Sequence, residues 1–212
     1  GIALANKGHE IHFISYSQPF RLDTFSENIY FHEVNVPDYP LFEYAPYELN
    51  LTSKLVDVVL HEKLNLLHVH YAIPHASAAL FAKQILATHD IEIPIITTLH
   101  GTDITLLGKD KSFKSVIEYS INNSDKVSAV SESLKKETLD NLNIKRSIDV
   151  VPNFIDSSLY FPETDLSLRK KYATEEEFVI THISNFRKVK RVEDVIRIFE
   201  KINKEIPSKL LM

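Results

Sequence analysis

Apolar and amphipathic segments alternate along the chain in a strand–helix order. Short apolar or β-branched runs predict strands, and apolar residues spaced three and four positions apart predict helices. The predicted strands are 10–16, 28–34, 66–70, 92–99, 126–130, 148–151 and 177–183. The predicted helices are 47–61, 73–87, one around 113–121, 132–141 after a Ser131 N-cap, and one after residue 191. This order predicts a doubly wound, mainly parallel α/β sheet.

The pattern changes between residues 157 and 174, where a charged connecting segment with a short helix replaces the regular alternation. A new strand and helix after residue 176 predict the first unit of a second α/β domain. We therefore expect a Rossmann-like N-terminal domain over residues 1–160 and the beginning of a second domain over 161–212.

Both ends of the chain resemble interrupted elements. Residues 2–7 predict the last turns of a helix that ends at Gly8, and residues 209–212 predict a strand that stops in mid-run. The chain has four glycines, where average usage would give roughly fifteen. We therefore expect a fragment whose first domain lacks its first strand and glycine-rich loop, and whose second domain is represented only by its first strand–helix unit.

Charge and composition exclude several classes of function. A net charge of -5 argues against a nucleic acid or an anionic membrane as the main partner. The absence of cysteine excludes disulfides and thiolate metal sites, and it fits a cytoplasmic protein. No apolar run reaches the length of about 18 residues that a membrane span needs.

Polar residues end the most apolar predicted strand. The run from Ile93 to Leu99 leads directly into His100, Gly101, Thr102 and Asp103. Ligands of open α/β sheets bind outside the carboxyl ends of the strands, so this stretch is a candidate site. The alternative is that His100 caps the strand and Thr102 starts a turn.

Four histidines lie at or near predicted strand ends: His68, His70, His75 and His100. Together with Asp103 they would make a ligand set that zinc or iron accepts. There is no H-E-x-x-H motif and no cysteine to support such a site. Hydrogen bonding at the rim of the core is the favoured alternative, and we expect no metal.

A basic turn precedes the last predicted helix, with four cations between Arg187 and Arg191. A helix N-terminus attracts anions, and Arg187 with Lys190 would make a diphosphate clamp there. A solvated basic surface is the alternative. No dinucleotide-binding, Walker A or nucleophile-elbow motif occurs in the chain.

Three segments together resemble the malate-glycosylating subfamily of retaining glycosyltransferase family 4. They are LHVHYAIPHA at 67–76, TTLHGTDIT at 97–105 and SNFRKVKR at 184–191. PFRL at 19–22 and YAPYEL at 44–49 match the same pattern. The resemblance covers essentially the whole chain, and the three segments combined are specific to the subfamily.

The resemblance implies a GT-B fold, with two Rossmann-like domains facing across a cleft. It implies transfer of N-acetylglucosamine from UDP-GlcNAc to the hydroxyl of L-malate, with retention, as the first step of bacillithiol biosynthesis. It further implies a cytoplasmic, metal-independent enzyme without nucleic-acid or stable membrane partners, with homo-oligomerisation left open. The 212 residues by themselves are expected to be inactive.

The resemblance also assigns residue roles. His100 matches the catalytic histidine near the donor sugar, and Arg187 with Lys190 would bind the donor diphosphate. Malate has two carboxylates, so hydroxyl and backbone donors at strand ends suit it, and the candidates are Tyr71, Thr97 and Thr98. Further candidates for the cleft are Gly101, Asp103, Asn153 and Asn185. Asn185 departs from the wider family, which has an arginine there, and Asn153 is equally well explained as an interdomain turn.

Four other functions remain open. A family 4 transferase acting on a lipid or polysaccharide sugar would need a membrane-facing patch, which the sequence does not show. A non-catalytic small-anion module, or a nicotinamide enzyme, would not be expected to carry the basic turn. A histidine-based metal hydrolase would contain stoichiometric zinc or iron.

Overall fold

The computed structural model describes residues 1–20, 22, 27–37, 43–105, 108, 110–162 and 167–212. Arg21 of the PFRL segment lies outside these residues. The chain separates into two compact units, Gly1–Asn153 and Phe154–Met212. The domain boundary after residue 160 stays a prediction.

The first unit begins with a short helix and a two-stranded parallel sheet. Helix α1 (Ile2–Ala5) is followed by Gly8 at φ +88°, a backbone conformation that suits glycine at a helix end. Strands β1 (Ile11–Ser15) and β2 (Ile29–Glu33) pair in parallel, with Ile11 opposite Ile29.

A second, four-stranded sheet carries the candidate residues. Its strands are β3 (Leu67–His70), β4 (Ile95–Leu99), β5 (Lys126–Ala129) and β6 (Ile148–Val150), parallel throughout and in the order β3-β4-β5-β6. Parallel strands bring their carboxyl ends to one edge of a sheet. The ends of β3, β4 and β5 therefore lie side by side, as the α/β pattern predicts.

Helices cover the apolar positions of these strands. They are α2 (Tyr47–Glu62), α3 (Ser77–Ala87), α4 (Thr102–Thr105), α5 (Lys111–Asn123) and α6 (Glu132–Asn141). The predicted cap of α6 is confirmed, because the Ser131 Oγ accepts a hydrogen bond from the Leu134 N–H at 3.1 Å. Fully buried Leu86, Ile95, Leu99 and Ile117 belong to the apolar clusters beneath the helices.

One predicted helix starts later than its apolar pattern suggests. The apolar spacing predicts a helix over 73–87. In the structure, residues Ala72–Ala76 form a π-helical turn in which Ile73 has extended backbone angles, and regular helix begins at Ser77. Pro74 explains the difference, because proline disfavours helical angles at the residue before it. The turn keeps the backbone between β3 and α3 irregular at the sheet edge.

The second unit contains α7 (Ser167–Lys170), β7 (Phe178–Thr181), a 3₁₀ turn at Lys188–Lys190, α8 (Val192–Glu205) and β8 (Ser208–Leu211). β7 and β8 pair in parallel across the helix that joins them. This is the strand–helix unit, followed by a further strand, that the sequence predicts. Among the described residues, no helix combines the length and apolar character needed to cross a membrane.

Candidate active site

The strand ends of the four-stranded sheet bring together the polar side chains that sequence analysis singles out. His70 of β3 lies opposite Thr98 of β4, and Thr98 lies opposite Ser128 of β5. Alternation along β3 places His68 and His70 on one face, while Leu67 and Val69 are buried on the other.

A chain of hydrogen bonds crosses three strands on the histidine face. The Thr98 hydroxyl lies 2.8 Å from the His68 Nε2 and 2.8 Å from the Ser128 Oγ. Both bonds fall on one hydroxyl oxygen, so the side chain of Thr98 is held in a single orientation. Thr98 therefore positions its neighbours as well as being a candidate for contact with malate.

His100 lies against two residues that follow one another at the end of β3. Its Nε2 is 2.8 Å from the Nδ1 of His70, and its ring centroid is 5.0 Å from that of Tyr71. Tyr71 has φ +76°, and its N–H donates to the Thr98 carbonyl oxygen at 2.9 Å. A positive φ is unusual for a residue with a bulky side chain, and here it is imposed where a ring meets a candidate catalytic residue.

His75 joins the same group through the backbone. Its Nδ1 donates to the carbonyl oxygen of His70 at 2.6 Å, since a carbonyl can only accept. This contact leaves the proton of neutral His75 on Nδ1 and links the π-helical turn to the end of β3.

Asp103 connects the turn after β3 to the turn after β4. Its side chain is almost completely buried, and its two oxygens accept the N–H of Ala72 at 2.9 Å and the N–H of Gly101 at 3.1 Å. Gly101 has φ +122°, with open space where a side chain would begin, so glycine is needed there for its backbone angle. Asp103 and Gly101 therefore set the positions of Tyr71 and His100.

Thr97 lies on the opposite face from Thr98. It has no exposed surface, and its hydroxyl lies 2.7 Å from the Ser124 Oγ inside the core. The predicted contact with malate is therefore replaced by a structural role. The physical reason is the two-residue alternation of a strand, which cannot present adjacent threonines to one ligand.

Three histidines of this group, His68, His70 and His75, have lowered pKa values and are therefore neutral at pH 7. Loss of water around the packed ring, followed by repulsion from His68, His100 and His75, lowers the pKa of His70 to about 4. Desolvation is also the first cause of the lowered pKa values of His68 and His75. Neutral imidazoles can both donate and accept hydrogen bonds, as recognition of a polar ligand requires.

The histidine–aspartate metal alternative finds no support in these contacts, because both oxygens of Asp103 are occupied by backbone N–H groups. Within the described residues, metal-ligating side chains come within 4.8 Å of one another elsewhere, at His12, His32 and Glu62.

The basic turn of the second unit has a different character. Arg187, Lys188 and Lys190 are exposed, and none of their side chains forms an ion pair or hydrogen bond with any described residue. Arg191 differs, because its Nε donates to an Asp194 carboxylate oxygen at 2.6 Å. Three free cations thus lie within four positions of the chain.

The N-terminus of α8 does not act as the simple anion site that its position suggests. Glu193 and Asp194 occupy its first turn, where carboxylates already complement the helix dipole. The free positive charge therefore belongs to the preceding 3₁₀ turn. Asn185 is exposed beside this turn, and Asn153 is exposed at the end of the first unit.

Comparison with known proteins places this arrangement in a family. The model of Glycosyltransferase Family 4 matches residues 1–159. The chain belongs to glycosyltransferase family 4.

Two curated relatives agree with the family 4 assignment. The chain is 51% identical over its whole length to N-acetyl-alpha-D-glucosaminyl L-malate synthase of Bacillus anthracis, covering 55% of that protein. It is 29% identical, over 75% of its length, to an uncharacterized glycosyltransferase of Methanocaldococcus jannaschii, covering 42% of that protein. The chain thus spans about half the length of the curated relatives it matches.

A solved structure supports the fold of this family 4 chain. Sucrose-phosphate synthase from Thermosynechococcus elongatus superposes with a TM-score of 0.71 at 15% identity, covering 98% of this chain and 53% of the other. At that identity the likeness concerns the fold alone. It supports the predicted Rossmann-like architecture of GT-B enzymes.

Sequence reasoning missed Ser124 and Ser128, whose hydroxyl groups hydrogen-bond to Thr97 and Thr98, respectively. Neither serine belongs to a motif. Ser128 could have been found by placing the end of β5 beside that of β4, because both strands are visible in the hydrophobic pattern. Ser124 lies in the turn before β5, and only the packing of α5 brings it to Thr97.

Proposed function

We propose that the full-length protein transfers N-acetylglucosamine from UDP-GlcNAc to the hydroxyl of L-malate, retaining the anomeric configuration. The observation that carries the proposal is the 51% identity, along the entire chain, to a protein named as the synthase of that product. The matched length includes both predicted substrate regions, the strand ends and the basic turn.

Acceptor recognition is assigned to Tyr71, whose ring packs against the candidate catalytic residue His100. Malate is small and carries two carboxylates, so it needs closely spaced hydrogen-bond donors on a rigid support. The Tyr71 hydroxyl makes no hydrogen bond to any described residue, and the ring packs on His100. Thr98 supports Tyr71 by accepting its N–H, and Asp103 accepts the N–H groups of Ala72 and Gly101, the residues next to Tyr71 and His100.

Donor recognition is assigned to Arg187 and Lys190. A diphosphate leaving group gains negative charge as its bond to the sugar breaks, and cations that stabilise this charge lower the barrier. Arginine can contact phosphate oxygens in pairs, and lysine supplies a compact charge. Both side chains are free of carboxylate partners among the described residues, so no existing ion pair must be broken before phosphate binds.

The reaction can proceed without a protein base. The malate hydroxyl oxygen bonds to the anomeric carbon as the bond from that carbon to the UDP phosphate oxygen breaks. The hydroxyl proton passes to the departing phosphate oxygen, so charge and atoms balance. His100 is the proposed contact to the reacting sugar. The cytoplasmic location and the independence from metal ions belong to the same proposal.

The test is UDP release by the full-length protein supplied with UDP-GlcNAc and L-malate. We expect release that depends on malate, with a single α-configured glycoside of malate visible by NMR. Release with a lipid-linked or polysaccharide sugar but not with malate would overturn the acceptor assignment. Binding of NAD in preference to UDP-GlcNAc would overturn the class of enzyme.

A further inference from the structure

The two-stranded sheet carries a group of side chains that the proposed function does not use. Parallel pairing places His12 opposite Tyr30, so His12, Tyr30 and His32 share one face. The His12 ring stacks on Tyr30, with ring centroids 4.8 Å apart, and lies nearly parallel to His32, whose centroid is 5.1 Å away. This packing fixes the orientation of the His12 imidazole.

Glu10 fixes which nitrogen of His12 carries a proton. Its carboxylate oxygen lies 2.8 Å from the His12 Nε2, and a carboxylate can only accept, so Nε2–H is the donor. In neutral His12 the Nδ1 then accepts a hydrogen bond from the Nε2 of His32, 2.8 Å away, and its lone pair becomes available to an ion when the His32 proton moves to the Nδ1 of His32. The His12 side chain is 2% exposed, so this lone pair is held in a site that largely excludes water.

A third ligand group comes from the end of α2. The carboxylate of Glu62 joins the two imidazoles, and the three candidate ligand atoms all lie within 4.8 Å of one another. Two imidazole nitrogens and one carboxylate oxygen are a set that Zn²⁺ binds at about 2.0–2.2 Å. We propose that His12, His32 and Glu62 bind a divalent transition-metal ion, represented by Zn²⁺, with Glu10 orienting His12 from behind.

The surrounding charges are compatible with a cation. Glu10 and Glu62 bring two carboxylates to a site with two imidazoles, and the charge of Lys54 also acts on His32. An imidazole binds a metal ion through a nitrogen lone pair, and the three ligand atoms lie close enough together to share one ion. Binding through Nε2 requires His32 to carry its remaining proton on Nδ1.

The ion would join two parts of the first unit. His12 and His32 belong to the β1–β2 sheet, whereas α2 packs with α3 in the core beneath the four-stranded sheet. The two sheets are hydrogen-bonded separately. A metal bridge would therefore stabilise the first unit, and it shares no residue with the proposed substrate contacts.

Calorimetric titration of the metal-free purified protein with Zn²⁺ tests the proposal. We expect binding of one ion per chain that an excess of Mg²⁺ does not prevent, since imidazole ligands suit zinc and not magnesium. Bound Zn²⁺ should also raise the melting temperature. No saturable binding, or equal displacement by Mg²⁺, would overturn the proposal.

Variants locate the site. His32→Gln should weaken Zn²⁺ binding by about 100-fold or more, and Glu10→Gln by about 10-fold, as expected for a lost ligand and a lost orienting partner. Glu62→Gln alters an exposed residue, so it keeps the fold while weakening binding. His61→Gln, one position earlier on the same helix, is the matched control and should leave binding unchanged.

Two results with these variants would contradict the assignment. One is undiminished binding in both His32→Gln and Glu62→Gln. The other is loss of binding in His70→Gln with His32→Gln unaffected, which would move the ion to the strand ends of the other sheet. Far-ultraviolet circular dichroism of each variant separates loss of a ligand from loss of the fold.

Discussion

The strand ends of the first unit and the basic turn of the second are built on opposite principles. At the strand ends the polar side chains bond to one another, as in the contacts of His70 with His100 and of Thr98 with Ser128. In the basic turn the side chains of Arg187 and Lys190 are exposed and form no hydrogen bond or ion pair with any described residue.

The difference matches two kinds of recognition. A small hydroxy acid is distinguished by the positions of few donors, so orientation fixed before binding reduces the entropy lost when it binds. A diphosphate is attracted mainly by charge, which acts over longer distances and tolerates mobile side chains. In the proposed reaction the first unit would supply fixed hydrogen-bond geometry, and the second would supply positive charge.

Replacing His100 by alanine removes its contacts with His70 and Tyr71 and the proposed contact with the sugar. This substitution should have the largest effect on turnover. We expect malate-dependent turnover of the full-length protein to fall by about 10³-fold, the upper range for losing one preorganised contact in a transition state. The measurement is steady-state UDP release. His89→Ala, at an exposed position after α3, is the control, and near-normal turnover of His100→Ala would contradict the assignment.

Removing charge from the basic turn should have the next largest effect. The double variant Arg187→Ala, Lys190→Ala is expected to lose about 10²-fold in kcat/KM for UDP-GlcNAc, because the departing diphosphate loses both counter-charges. Lys188→Ala removes an equally exposed cation from the same turn and should change kcat/KM little. Equal losses in the two variants would mean that the turn contributes only general positive charge.

Asp103→Ala tests whether the buried carboxylate stabilises the turns that follow β3 and β4. The substitution leaves the buried N–H of Ala72 without its partner, and the expected loss in the free energy of unfolding is about 2 kcal/mol. Urea denaturation measures it. Asp110→Ala removes an exposed N-cap carboxylate at α5 and should cost about 1 kcal/mol. A loss from Asp103→Ala smaller than that control would be inconsistent with the proposed support.

The histidines should make the stability of the first unit depend on pH. Loss of water and neighbouring imidazoles lower the folded-state pKa of His70 to about 4, from an ordinary value of 6.5. Between those values the unfolded chain binds a proton that the folded chain does not, so stability falls as pH drops from about 6.5 towards about 4. Denaturation at pH 7, 6 and 5 should show a steeper fall for the wild type than for His70→Gln. Parallel pH profiles would argue against a lowered pKa.

Much of the fold follows from local patterns. The limits of α6 match the prediction because Ser131 and the apolar spacing agree. The start of α3 does not, because apolar spacing continues through residues that Pro74 keeps out of regular helix. The separation of β1–β2 from the other sheet depends on contacts between distant strands, which a linear pattern does not contain.

The candidate site shows the same limit. His70 and His100 could be placed together because each follows an apolar strand. The alternation of strand faces could have shown that Thr97 and Thr98 point to opposite sides of β4. The motif that contains both threonines favours the same role for each. The contact of His12 with His32 was not predicted, because it requires the pairing of β1 with β2.

The central claim is that the first unit recognises the acceptor and the second recognises the donor diphosphate. Steady-state kinetics of Tyr71→Phe and Arg187→Ala, with each substrate varied in turn, tests it most directly. We predict that Tyr71→Phe raises the KM for malate by about 10-fold with little change for UDP-GlcNAc. Arg187→Ala should raise the KM for UDP-GlcNAc or lower kcat, while the KM for malate stays near normal. The reverse pattern, or equal effects of both variants on both substrates, would contradict the account.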